Sequence, residues 1–258
     1  MEHRLSSRIG GILVVTASSF VTSAGIEMPA VTADQMREVD RIAVEETGPN
    51  LYQMMENAGR NLAAMTIRIL GTEWRGKRIV VLAGTGGNGG GGICGARHLA
   101  NRGGDVLVVV SDATNLREVP AQQLATYRGT DGRVLGPDEL GGLDPSLILD
   151  AVIGYSLSGP PGGPALHMIE WALGVEAPVV SLDVPSGIDS TTGGAPGTHV
   201  LAAQTMTLAL PKTGLDALAP GDLWLSDIGI PAETYRRAGL VVPAGLFGDG
   251  FTVPIRAS

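Results

Sequence analysis

An α/β protein built on a doubly wound sheet is what this sequence predicts, and three observations carry that expectation. Continuous apolar runs, such as Ile79-Val80-Val81-Leu82-Ala83 and Val106–Val110, are bounded by charges and glycine, as suits parallel strands buried on both faces. Helical segments fit between successive runs, and alternation at this spacing places helices on the faces of one sheet. The chain has 258 residues, of which 44% are hydrophobic and 17% charged, enough for one substantial core and too apolar for global disorder.

Residues 1–28 are set apart. Arg4 and Arg8 precede a short apolar run, Ile9–Val15, and Thr22-Ser23-Ala24 is a poor cleavage-site match, so a signal peptide is one reading. The reading adopted is a disordered leader or a start placed too early, because Met28 stands just before the first well-patterned helix. Thr32-Ala33-Asp34-Gln35 reads as a capping box, and Met36, Val39, Ile42 and Ala43 follow at helical spacing until Gly48-Pro49. A second helix spans about Leu51 to Leu70, with Leu51, Met54, Met55, Ala58, Leu62, Met65 and Ile69 as one packing stripe. The period then changes. Strands are expected at Ile79–Ala83, Val106–Val110, Leu147–Ile153, Val179–Leu182, Thr205–Leu210 and Leu223–Asp227. Helices are expected near Cys94–Asn101, Glu118–Arg128 and Ala165–Leu173. Residues 29–240 form one domain on this reading, and 241–258 an irregular C-terminal tail.

Composition excludes several classes of function. Eighteen basic and 26 acidic residues give a net charge of −8, and no Lys/Arg run offers a phosphate-backbone footprint, so nucleic acid is not an expected partner. No stretch reaches the roughly 20 apolar residues that span a bilayer. Cys94 stands alone, which rules out an internal disulfide and fits a reducing cytoplasm. Glycine numbers 38, about twice the ordinary share of roughly 7%, without a collagen period.

In open α/β sheets, ligands bind beyond the carboxyl ends of the strands, and that rule selects three segments. Gly84–Gly92 joins the first long strand to a helix, and Gly84, Gly86 and Gly89 match the dinucleotide fingerprint, with Asp112 where a ribose-binding acid would stand. Asp150–Pro161 and Asp183–Asp189 follow two later strands, and each begins with an aspartate that needs a cation, a donor set or a proton if buried. Asn88, Asp150 and Ser186 offer hard oxygen ligands, which suit an alkali or alkaline-earth cation and not zinc. A turn-capping role for either aspartate remains open at this point. His98 reads as a surface or helix-dipole residue, Cys94 as a small core residue, and Lys212 as a solvated lysine or a phosphate contact.

Four motifs in order, Met55-Glu56-Asn57-Ala58-Gly59, the Gly84–Gly92 segment running into Ala96-Arg97-His98-Leu99, Asp150-Ala151-Val152-Ile153-Gly154 and Asp183-Val184-Pro185-Ser186-Gly187, resemble the NAD(P)H-hydrate epimerases, the YjeF-type N-terminal domain. The similarity spans roughly Val31 to Tyr235. It implies a Rossmann-like three-layer α/β/α sandwich with a mainly parallel sheet. The implied activity is interconversion of the R and S epimers of hydrated NADH and NADPH, an isomerase reaction of metabolite repair in the cytoplasm. The implied partners are a separate NAD(P)H-hydrate dehydratase and a second copy in a homodimer.

Carried over by motif, Gly87, Asn88, Gly89, Gly90 and Gly91 would bind substrate, together with Gly154, Tyr155, Ser156, Leu157, Ser158, Gly159, Pro160 and Asp183. Asn88, Asp150 and Ser186 would hold a potassium ion, and Asp183 would transfer the proton at the hydrated nicotinamide ring. Two departures stand out. The family usually reads Asn-Asn-Gly-Gly-Asp where this chain has Gly87-Asn88-Gly89-Gly90-Gly91, and Tyr155-Ser156 replaces a common Thr-Gly. They set up an alternative, a catalytically impaired nucleotide-binding or scaffold protein of the same fold, as in an mRNA-decapping scaffold. An NAD-dependent oxidoreductase using Gly84–Gly89 and Asp112 is a further rival, without a His, Tyr-Lys pair or metal set to supply hydride chemistry.

Overall fold

The computed structural model describes residues 19–216 and 221–258. In chain order its elements are β1 (Ser19–Thr22), β2 (Glu27–Pro29), α1 (Ala33–Ile42), α2 (Leu51–Leu70), β3 (Ile79–Ala83), α3 (Gly87–Ala100), β4 (Val106–Val110) and α4 (Glu118–Tyr127). There follow β5 (Arg133–Leu135), β6 (Leu147–Ala151), α5 (Gly163–Gly174), β7 (Val179–Leu182), β8 (Gln204–Leu208), β9 (Asp222–Ser226), α6 (Ala232–Arg237) and β10 (Thr252–Ala257). The ten strands form one sheet in the order β2-β1-β10-β9-β8-β7-β6-β3-β4-β5. From β9 to β5 all pairings are parallel, and β10, β1 and β2 add antiparallel at the other end.

Strand side chains alternate between faces, so each apolar run feeds two cores. Val81, Ala83, Val108 and Val110 pack with Leu62, Ile93, Leu99 and Leu124 of α2–α4. Val80, Leu82, Leu107 and Val109 pack with Met168, Ile169 and Ala172 of α5 on the opposite face. Two cores on two faces of one sheet are the three-layer α/β/α sandwich that the alternation predicts. Helix starts follow the expected chemistry: Thr32 Oγ1 accepts from Gln35 N–H at 3.2 Å, and Gln35 Oε1 accepts from Thr32 N–H at 2.9 Å.

β6 ends at Ala151, two residues short of the expected run, where Val152 N–H turns back to Asp150 Oδ1 at 3.3 Å. Both chain ends correct the sequence reading. Of the leader assigned to residues 1–28, residues 1–18 lie outside the described residues. Its remainder is structured: Phe20 is 0% exposed, and β1 pairs with β10 and β2. The expected irregular tail holds β10, which sits between β9 and β1. Phe20, Met28, Leu225, Leu246 and Ile255 form a core of their own, and such burial stabilises by about 1.5–3 kcal/mol per large side chain.

Candidate active site

After β3 the chain runs to α4 and β5 on one side, then crosses back to β6 on the other, so the strand order reverses between β3 and β6. A crevice at the carboxyl ends of strands opens at such a reversal. Gly84 N–H donates to Ala151 O at 3.1 Å across it.

The glycine segment, expected to be a loop ahead of a helix near Cys94, is instead a tight turn, Gly84–Gly86, followed by the first turns of α3, capped at Gly86. Gly90 N–H donates to Gly86 O, so the N–H groups ahead of it in the helix have no intrahelical partner. Close approach explains two of these glycines. A Cβ at Gly89 would stand 1.9 Å from Gly84 O, and one at Gly92 would stand 2.5 Å from Ala151 Cβ. The helix start therefore sits against the end of the sheet, where it can approach an anionic ligand.

Asn88 projects from this turn. A Cβ at Gly154 would lie 3.1 Å from Asn88 Cγ and 3.2 Å from Asp183 Oδ2, so Gly154 separates the two side chains by little more than its own backbone. Asn88 Oδ1 and Nδ2 are buried without hydrogen-bond partners. Asp183 follows β7 with φ at 72°, a left-handed conformation costly for a residue with a side chain. It is held there on every side. Its N–H donates to Met206 O at 2.8 Å, Tyr155 N–H donates to Oδ2 at 3.1 Å, and Leu208 N–H donates to Oδ1 at 3.3 Å. Lys212 Nζ lies 2.5 Å from Oδ1 and also donates to Leu208 O at 2.8 Å.

Lys212 corrects the sequence reading. It is 1% exposed, neither a solvated lysine nor free to meet a phosphate, and its ammonium faces the Tyr155 ring at 5.8 Å. Asp40 of α1 was missed altogether: it accepts a 2.5 Å hydrogen bond from the Tyr155 hydroxyl. Burial pushes its carboxyl above the usual range, against the pull of Tyr155 and Lys212. Tyr155 is thus the hub, with its ring, hydroxyl and N–H each tied to a charged group.

Asp150 is 0% exposed and lies within β6. Ser186 Oγ donates to its Oδ1 at 2.5 Å; Ser181 Oγ and Ser186 N–H donate to Oδ2 at 2.8 and 2.9 Å. Burial pushes its carboxyl up, with the Ser186 and Ser181 donors opposing. No ion pair to Asp150 is formed among the described residues. Leu157, Ser158 and Gly159 border a hollow of about 480 Å³ with Asp189 and Thr192, while Ser156 and Pro160 are exposed. A larger hollow, about 600 Å³, lies on the outer side of α2–α4 beside Tyr52, Glu56 and Arg97 and contains none of these loop residues.

Other residues do not join the site. Asp112 is exposed and takes up its own turn, accepting from Thr114 N–H and Oγ1 at 3.0 and 2.7 Å. His98 is half-buried rather than a surface residue; it stands in the last turn of α3, where a basic group suits the helix dipole, with its Nε2 2.8 Å from Glu56 Oε1. Cys94 is fully buried, with its thiol pushed up to about 12, chiefly by burial. No described helix is long and apolar enough to cross a membrane.

Residues 51–214 match the family described as YjeF-related protein N-terminus. An NAD(P)H-hydrate epimerase of Dehalogenimonas lykanthroporepellens is 49% identical over 244 residues, covering 94% of this chain and 99% of the relative. One from Rhodopirellula baltica is 31% identical, covering 82% and 89%. The bifunctional NAD(P)H-hydrate repair enzyme Nnr of Salinibacter ruber is 35% identical over 81% of this chain but only 42% of the relative. The crystal structure of yeast ynu0 superposes with a TM-score of 0.77 at 26% identity, covering 88% of this chain and all of the other.

Proposed function

The chain belongs to the family of YjeF-related N-terminal domains, and from that premise we propose that it is an NAD(P)H-hydrate epimerase, interconverting the R and S epimers of hydrated NADH and NADPH. The observation that carries the proposal is the meeting of Asn88, Gly154 and Asp183 at the point where the strand order reverses. Gly87 to Gly91 form one wall, on which the N–H groups ahead of Gly90 are free of intrahelical partners, and Gly154 to Pro160 form the facing wall. Asp183 exchanges the proton of the ring hydroxyl, a role worth typically about 10²–10⁴-fold in rate.

Asn88 Oδ1, the Asp150 carboxylate and the Ser186 hydroxyl are hard oxygen donors, and the unpartnered Asn88 amide suits a potassium ion. Bound there, it would supply positive charge to offset the buried Asp150. On the same reading the protein acts in the cytoplasm as a homodimer, beside a separate dehydratase.

Hydrated NADPH supplied as the R epimer, with an S-specific dehydratase as reporter and potassium present, tests the proposal. Wild type should accelerate the reporter signal, and Asp183→Ala should abolish that acceleration; an unchanged rate in the variant would remove Asp183 from its role. An inactive wild type that still binds NADPH would favour the scaffold alternative, which the glycines at positions 87 and 91 keep in view.

A further inference from the structure

Inversion at the hydroxylated carbon of a hydrated nicotinamide ring has two chemical routes. The hydroxyl can leave as water, giving a ring C=N cation that water attacks from the other face. Alternatively the hydroxyl loses its proton and the ring opens. Departure needs a proton donor at the hydroxyl oxygen; opening needs a proton acceptor there.

The surroundings of Asp183 distinguish the two. Its side chain and that of Lys212 are 4% and 1% exposed, and Nζ stands 2.5 Å from Oδ1. At rest the carboxylate is paired with this buried ammonium, so Oδ2 offers a lone pair and no proton; a proton taken there is held only while the ring is open and is then returned. The remaining Lys212 hydrogens point to Leu208 O at 2.8 Å and Thr207 Oγ1 at 3.5 Å, not into the crevice. Neighbouring acids are engaged elsewhere. The Tyr155 hydroxyl donates to Asp40, and Asp150 is enclosed by four donors with no exposed surface. Oδ1 is committed to Lys212, and Oδ2 is the oxygen on the Gly154 and Asn88 side.

We infer that Asp183 acts as an ionised proton acceptor, with Lys212 as its positioning residue, so that epimerisation proceeds by ring opening; this rests on the epimerase function proposed above. Asp183 Oδ2 takes the hydroxyl proton, and the oxygen lone pair forms C6=O. The C6–N1 bond breaks, and its electron pair passes to N1, where it is delocalised through C2=C3 into the carboxamide. After rotation about C5–C6, N1 attacks the opposite face of the aldehyde, C6–N1 re-forms, and the resulting alkoxide recovers the proton from Asp183. No oxidant, reductant or second substrate is consumed.

Epimerisation of one pure epimer by wild type in ¹⁸O-water, without the dehydratase, reads the route by mass spectrometry of the hydrate against an enzyme-free control. Ring opening keeps the original oxygen, so label should stay well below one atom per inversion. One solvent oxygen gained per inversion would overturn the inference while leaving the epimerase assignment intact. An inactive wild type would overturn both. Lys212→Met should lower kcat by about 10²-fold while KM changes little, and Lys212→Arg should restore part of the loss. A folded Lys212→Met with unchanged kcat would also overturn it. If Lys212→Met does not fold, the wild-type labelling and Lys212→Arg decide the matter.

Discussion

Gly87 and Gly89 stand in one helical turn yet meet very different surroundings. A Cβ at Gly87 would find only Met55 Cε at 3.6 Å, whereas one at Gly89 would lie 1.9 Å from backbone. Gly87→Ala should therefore keep or raise the stability, by up to about 0.5–1 kcal/mol of helix propensity. Gly89→Ala should lower it severely, by more than about 3 kcal/mol, because the backbone of Gly84 would have to move. Thermal denaturation of the two variants gives both signs. The pair Gly87→Asn with Gly91→Asp restores the polar groups that the family carries there; its tightest contact, 3.0 Å, is with a methyl of the buried Leu182, which must shift by a few tenths of an ångström. Turnover or substrate affinity should rise, and steady-state kinetics showing neither would mean that this crevice binds by other groups. Asp40 gives a pH test. Its carboxyl sits above the usual range because of burial, so ionising it costs the folded state. That cost is absent below the ordinary carboxylate value, grows as pH rises, and is complete above the folded value. Asp40→Asn should thus melt above wild type at pH 7 and converge with it by about pH 4. Asp150, Asp183 and Asn88 were legible because each ends a strand or opens a helix. Lys212 and Asp40 were not, since their partners lie 29 and 115 residues away and a buried lysine has the same letter as a solvated one.

Glu56 binds α2 to α3. Its Oε2 takes Arg97 at 2.5 Å and its Oε1 meets His98 at 2.8 Å, while Cys94 Sγ approaches to 3.3 Å. Burial alone would raise the Glu56 carboxyl, but Arg97, Cys94 and His98 together hold it below the usual range. Its stabilising effect is present above the ordinary value and is lost as pH falls through the folded one. Glu56→Gln should reduce stability at pH 7 by about 1 kcal/mol or less, since the carboxylate is partly solvated. Urea titrations at pH 7 and pH 3.5 should show the gap closing at the acid end. The helices themselves were legible from period and caps, as Thr32 and Gln35 demonstrate. The start of α3 was not, because a run of glycines carries no periodic pattern. Nor were β1, β2 and β10: four, three and six residues long, they depend on partners far along the chain.

At the scale of the whole molecule, the parallel sheet from β9 to β5 carries the crevice, and the antiparallel extension closes a separate core beside it. Deleting residues 252–258 should free β1 and β2 from the sheet. Their amides should then exchange with solvent far faster, while those of β3 and β6 stay protected; uniform loss of protection would mean that the two parts unfold as one. The neighbourhood of β1 and β10 also fixes an order in time. Ser258 N–H donates to Ser19 O at 3.1 Å, a contact spanning 239 positions. During synthesis β1 emerges before the central strands and its partner β10 after them, so the central sheet can assemble while β1 waits unpaired. Such long-range pairings are slow to form, and waiting strands are prone to mispair. Pulsed exchange during refolding should find β1 and β10 acquiring protection together and after β3, β4 and β6.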